Sequence, residues 1–134
     1  MNLSDQKLHY TLVLTESPSQ IESNLTAQKL AVEILAAGDV IDRVFLYQDA
    51  CYIALGSQVP GQGLSASYQG WHELHENYQL CVQACIANSL RRGVLDKAEA
   101  QRYLSTENIH SSFELVGLGE LAEACRSSDR IITL

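Results

Sequence analysis

The sequence predicts one α/β domain: a mainly parallel, five-stranded sheet with helices on both faces, spanning residues 1–134. Three observations carry that expectation. Apolar, β-branched runs alternate with helical segments in the order β-α-β-α-β-α-β-α-β, which in one domain implies parallel strands joined by crossover helices. The second run, Val44-Phe45-Leu46-Tyr47, is nearly continuous in apolar residues, as strands buried on both faces are. With 134 residues, 46% hydrophobic and 19% charged, the chain is long enough for one real core and too short for two ordinary domains.

Residues 8–15 (Leu-His-Tyr-Thr-Leu-Val-Leu-Thr) read as the first strand. A helix is expected next, with Ser17 as its N-cap, Pro18 in the first helical position and Gln20 completing a capping box. Gly38 suits the left-handed residue that ends it. This helix carries two apolar stripes, Ile21, Leu25, Val32 and Leu35, and on nearly the opposite side Ala27, Leu30, Ile34 and Ala37. The first stripe suffices for packing on the sheet, so the second predicts burial against another helix or another subunit. Residues 40–48 form the second strand, 49–55 a short helix, and 56–63 (Gly-Ser-Gln-Val-Pro-Gly-Gln-Gly) the clearest loop. A helix over 67–78 carries Trp71 and Leu74, and 80–85 is the third strand. Residues 86–92 turn helical and stop at Gly93, and Asp96 with Glu99 opens another helix reaching about Leu104. A polar loop leads to a fourth strand over 113–116. Leu118, Leu121, Ala122 and Cys125 then follow at i, i+3, i+4, i+7, the pattern of an amphipathic helix, before a final strand over 130–134.

The net charge of -7, from 16 acidic and 9 basic side chains, argues against direct nucleic-acid binding, which needs a concentrated basic surface. Residues 1–7 lack the apolar centre of a signal peptide, and no stretch approaches the about 20 apolar residues of a membrane span. The expectation is a cytoplasmic chain, in a compartment where its four cysteines are thiols.

Those cysteines are not equivalent. In parallel sheets the reacting groups lie just beyond the carboxyl ends of the strands. Cys85 stands there, where the third strand meets the next helix. Unpaired backbone N–H groups and the positive end of a helix dipole favour thiolate over thiol at such a junction, and the thiolate is the nucleophile. Burial as a small hydrophobe is the competing reading of any free cysteine. Cys81 precedes Cys85 by four strand residues, about 13 Å at ~3.3 Å per residue, beyond disulfide reach, and reads as core. Cys125 closes an apolar helical stripe and also reads as core. Cys51 follows the second strand and is the candidate for a partner or resolving thiol.

Other chemistries fit less well. The sequence contains no Cys-x-x-Cys, no phosphate-binding or dinucleotide glycine loop and no Gly-x-Ser-x-Gly elbow. His72 and His75, three apart on a helix, could offer two metal ligands, but a solvated helix face explains them as well. Gly117-Leu118-Gly119 could approach an anion, though close helix packing is the commoner reason for such glycines. Arg91-Arg92 fits the C-terminal end of a short helix, with docking of an acidic partner as the functional alternative.

The stretch Cys85-Ile86-Ala87-Asn88-Ser89-Leu90-Arg91-Arg92-Gly93-Val94 resembles the active-site segment of the DsrE/TusD family of sulfurtransferase subunits. The resemblance continues through Asp96 and Glu99 and into Gly117-Leu118-Gly119-Glu120-Leu121-Ala122-Glu123-Ala124 with Asp129-Arg130. Upstream, Phe45-Leu46-Tyr47, Tyr52 and Trp71 are also similar. The TusD-like branch matches best. Residues 54–68 depart from the family pattern, and Cys51 and Cys81 are not part of it.

The resemblance implies a flavodoxin-like, three-layer DsrEFH fold and a catalytic Cys85 that carries sulfur as a persulfide, with no metal or organic cofactor. It implies a TusA-like donor and a TusE- or DsrC-like acceptor. Two homologous subunits, TusB/TusC-like or DsrH/DsrF-like, would complete a dimer of heterotrimers, with the second stripe of the first helix as an interface. In the TusD branch the relay ends in 2-thiouridine at the tRNA wobble position, and in the DsrE branch it serves dissimilatory sulfur oxidation. Two alternatives stand beside this: a structural subunit with an incidental thiol, and a flavodoxin-like module for a small ligand.

Overall fold

The computed structural model describes residues 5–134. The part of the signal-peptide reading that falls on residues 1–4 lies outside the described residues. The strands are β1 (His9–Leu14), β2 (Val40–Leu46), β3 (Val82–Cys85), β4 (Phe113–Val116) and β5 (Arg130–Thr133). Between them run helices α1 (Ile21–Ala36), α2 (Gln69–Tyr78), α3 (Ile86–Arg91), α4 (Lys97–Arg102) and α5 (Leu118–Ser127), with a 3-10 segment at Gln48–Ala54. The strands form one sheet in the order β4-β3-β2-β1-β5, and every neighbouring pair is parallel. The expected α/β fold is the one observed.

Three crossovers step from β1 towards β4, and the fourth returns past β1 to β5. Since parallel crossovers are right-handed, α1 to α4 belong to one face and α5 to the other. Side chains agree. The Arg43 Nη1 donates to the Glu120 carbonyl oxygen of α5 at 2.7 Å and to its carboxylate at 2.9 Å. Thr11, in register with Arg43, shares a 2.8 Å hydroxyl hydrogen bond with Ser128 just after α5. By strand alternation, Leu12, Val44 and Val82 face the other way, into a core with Ala27, Ala31, Ile34, Trp71 and Leu74.

The first helix departs from expectation at its start. It begins at Ile21 with Gln20 as N-cap and no side-chain cap, because residues 17–20 close a turn of their own. There Gln20 N–H donates to the Ser17 carbonyl, and the Ser17 hydroxyl accepts from Ser19 N–H. Its end is as expected: Gly38 has φ +87°, and the Gly38 and Asp39 N–H groups donate to the Leu35 and Ile34 carbonyls, a Schellman ending.

The two apolar stripes of α1 divide differently from expectation. Asn24, Ala27, Ala31 and Ile34 are buried, whereas Ile21, Leu25 and Val32 are exposed. Of the second stripe, Ala27 and Ile34 therefore pack inside the chain, while Leu30 is half-buried and Ala37 exposed. Alanines let α1 lie close to its neighbours, and Asn24 is buried for its hydrogen bonds. It accepts from the fully buried Trp71 Nε1–H at 2.8 Å and donates to the Ser67 carbonyl at 3.0 Å.

A similar correction applies to α5. Ala124 is buried and Leu121 half-buried, while Leu118, Ala122 and Cys125 are exposed, so Cys125 is no core residue. The helix lies on a sheet face already occupied by Arg43 and Thr11, and only a narrow part of its surface is covered. Nothing lies within 4 Å of where a Cβ would stand at Gly117 or Gly119, so close packing is not their reason either.

Replacing Asn24 by alanine is expected to lower stability by about 1–3 kcal/mol, since it leaves the buried Trp71 N–H without an acceptor; urea unfolding measures it. Two histidines give opposite pH effects. Burial, then His72 and His75, lower the pKa of His110, whose Nδ1 accepts from the Ser112 N–H. Its contribution is complete above the unfolded value of about 6.5 and is lost as pH falls through the lower folded value. His9 is raised by its hydrogen bond and charge interaction with Asp42, so its contribution is complete below about 6.5 and is lost as pH rises through the folded value. In melting curves over about pH 5–8, His110→Asn should flatten the acidic limb and His9→Gln the alkaline one.

Candidate functional site

At the carboxyl edge, β3 runs into α3 on one face and the adjacent β4 runs into α5 on the other. Neighbouring strands that exit to opposite faces leave a crevice between them, the usual ligand and reaction site of such sheets. Cys85 closes β3 there, in register with Val116 of β4. It is the N-cap residue of α3 (φ −59°, ψ 119°), and no side chain caps that helix. Its side chain is buried, with the residue only 1% exposed. The strand-to-helix junction expected for Cys85 is present. The strand order that makes it a switch point was not readable from the sequence.

The loop leaving β2 is fastened to this junction by three links. Gln48 has φ +53°, a left-handed conformation that costs a non-glycine residue about 1–2 kcal/mol, and its N–H donates to the Asn88 Oδ1 at 2.6 Å. Arg92 donates through Nε to the Asp49 carboxylate at 2.9 Å and through Nη1 to the Asn88 carbonyl at 3.1 Å. The single S–H of Cys51 lies within donor reach of both the Leu46 carbonyl at 3.5 Å and the Cys85 carbonyl at 3.9 Å. Arg92 thus braces the corner, while Arg91 is the exposed member of the pair. Residue patterns assigned no role to Gln48, Asp49, Asn88 or Ser89. Their partners lie tens of residues away, and no local spacing announces them.

The four thiols now separate by place. Cys51 is fully buried next to Cys85, at the strand-end edge as expected. Burial pushes its pKa up, the nearby Cys85 adds to this, and the Ser89 hydroxyl pulls the other way. Cys81 precedes β3 at the far end from the crevice and is half-buried rather than core. Burial, then Glu114, raise its pKa against the pull of Arg43. Cys125 is on the outer surface of α5. Only Cys85 ends a strand at the crevice.

Among the described residues, no group of three His, Cys, Asp or Glu side chains is arranged to hold a metal ion. The Nδ1 atoms of His72 and His75 are already engaged, at 2.6 Å with the Ser112 hydroxyl and 2.8 Å with the Leu80 carbonyl. Nor is any helix among the described residues long and apolar enough to cross a membrane.

The corner can be tested by stability. Asn88→Ala removes the acceptor of the Gln48 N–H and is expected to cost about 1–2 kcal/mol. Gln48→Gly, which relieves the left-handed strain, should be neutral or stabilising by up to about 1 kcal/mol. Thermal unfolding of both variants checks the pair of opposite signs.

Along most of its length the chain is similar to several known proteins. The "Sulfurtransferase TusD homolog" of Vibrio cholerae is 32% identical over 126 residues, 93% of this chain and 96% of that protein. The "Putative sulfurtransferase DsrE" of Allochromatium vinosum is 34% identical, covering 93% and 97%. A TusD homolog of Pseudomonas aeruginosa is 41% identical over 79% of this chain and 82% of its own. Among solved structures, the ychN protein of E. coli superposes with a TM-score of 0.75 at 25% identity, covering 95% of this chain and 99% of that one. The sequence profile of the DsrE/DsrF-like family matches residues 9–134, and with relatives of that kind along nearly its whole length the chain belongs to this family.

Proposed function

We propose that the chain is a sulfurtransferase subunit whose Cys85 carries sulfur as a persulfide. The observation that carries this reading is the position of Cys85 at the β3/β4 crevice, in a chain whose relatives are named sulfurtransferases. Raised pKa values hold Cys51 and Cys81 towards the unreactive protonated form, and Cys125 is remote from the crevice.

The chemistry follows thiol exchange. A donor persulfide presents its outer sulfur, the Cys85 thiolate attacks it, the donor's S–S bond breaks, and the donor leaves as a thiolate that takes up a proton. The acceptor thiolate then attacks the outer sulfur of the Cys85 persulfide, and Cys85 leaves as thiolate. Rates depend on thiolate fraction, access and leaving-group pKa. Neither step needs a metal or an organic cofactor. The uncapped amides at the start of α3 are available to the thiolate and to the sulfur it carries.

A TusA-like donor and a TusE- or DsrC-like acceptor fit this exchange, within a cytoplasmic complex that includes two homologous subunits. The exposed α1 stripe of Ile21, Leu25 and Val32, rather than the buried one, is the surface this helix offers such neighbours. We assign the end product to 2-thiolation of the tRNA wobble uridine. The chain's net charge of -7 supports delivery through the acceptor rather than by gripping tRNA directly. The similarity to the A. vinosum DsrE protein favours a second reading, service in sulfur oxidation. The 1% exposure of Cys85 favours a third, a structural subunit beside a sulfur-carrying homologue.

Incubation with a sulfur-loaded donor should add one sulfur mass to the Cys85 peptide, and Cys85→Ser should abolish the addition. Equal labelling of the Ser variant would refute the assignment. In the reconstituted complex, Cys85→Ala should stop transfer to the acceptor; unchanged transfer would establish the structural-subunit reading.

A further inference from the structure

Cys51 is used by none of the steps above, yet its thiol touches the reacting residue. It is fully buried and directed at two carbonyl oxygens, Leu46 at 3.5 Å and Cys85 at 3.9 Å, which end neighbouring parallel strands. Ser89 is also fully buried, and its hydroxyl has no hydrogen-bond partner. That hydroxyl lies close enough to Cys51 to draw the thiol's pKa down against the effect of burial. A buried hydroxyl left unpartnered is costly, and this one lies in the neighbourhood of the buried Cys51 sulfur.

The peptide between Cys85 and Ile86 is planar and trans, so its C=O and N–H point in opposite directions. A donor on the carbonyl therefore also sets the direction of the Ile86 N–H, the first amide after the reacting residue. Drawing density onto the carbonyl makes that N–H a stronger donor. A thiol kept protonated by burial remains a donor at neutral pH, which suits Cys51 for this part and not for attack.

We propose that Cys51 is a positioning residue for Cys85: its thiol, directed at the Cys85 carbonyl, holds the Cys85–Ile86 peptide in the orientation that makes Cys85 reactive. The inference deepens the persulfide-carrier reading and rests on it. Thiols are weak donors and the contacts are long, so the effect on rate is of the size of one modest hydrogen bond, about three- to tenfold.

The test is the rate at which Cys85 of the full chain is alkylated by iodoacetamide across a pH series, read on its own peptide by mass spectrometry. Cys51→Val, which fills the space without a donor, should slow Cys85 about three- to tenfold and move the midpoint of its pH profile upward. Cys51→Ser, which restores a donor, should bring the rate back to within about twofold. A loss of packing alone would not separate the two variants in this way. Equal rates for Val and Ser, or a Val variant that matches the wild type, would overturn the proposal. If Cys51→Val does not fold by circular dichroism, Ser89→Ala takes its place, with a slower rate expected and a rate equal to both wild type and Cys51→Ser overturning. Loading wild-type Cys85 with inorganic polysulfide separates this outcome from the parent reading. If no sulfur is added to Cys85 the carrier role fails, whereas sulfur added with no dependence on Cys51 refutes only the positioning role.

Discussion

The right-handedness of parallel crossovers is the constraint on which the rest depends. A chain that steps from β1 to β4 and then returns to β5 must place its last helix on the opposite face from the earlier ones. That single reversal sends the exits of β3 and β4 to opposite faces of the sheet at Cys85. It also explains why the α5 face of the sheet is the more polar one. A single ten-residue helix covers it, and Arg43 and Thr11 on that face engage Glu120 and Ser128 at the two ends of the helix.

Local chemistry was legible where a signal and its effect lie within a few residues. Gly38 ends α1, the Asp96 carboxylate accepts from the Glu99 N–H to open α4, and β4 spans the residues 113–116 expected of it. Two of the failures share one cause, a partner distant in sequence. Both stripes of α1 satisfied the helical period, and the choice between them was made by Trp71, which requires Asn24 as an acceptor and thereby turns the Ala27 and Ala31 side inward. Periodicity placed Cys125 inside because it reports a helix's apolar face, whereas the width of coverage depends on what lies opposite. Ser17 satisfied the capping pattern but was taken by a turn with Ser19 and Gln20.

The site shows the same division. Position along β3 was enough to single out Cys85, since a strand end followed by a helix is a local event. The members of the corner around it, Gln48, Asp49, Asn88 and Ser89, belong to two crossovers and become neighbours only in the sheet. The cysteines that the sequence presents as four similar thiols differ because burial, carbonyl contacts and facing charges differ. Two are raised in pKa for distinct reasons, Cys51 by enclosure beside Cys85 and Cys81 by enclosure near Glu114.

The fastening of the β2 exit loop bears on how the protein comes to be folded. Its links join residues 34, 40 and 43 positions apart, so closing them costs chain entropy that no neighbouring hydrogen bond offsets. A nascent chain that has emerged only as far as Cys85 has its thiol at the end of a strand whose sheet is unfinished, with Asn88 and Arg92 still to come. The braced thiol is therefore a product of the assembled sheet and never of a local segment, and short peptides copied from the Cys85 region will lack the geometry that surrounds it here.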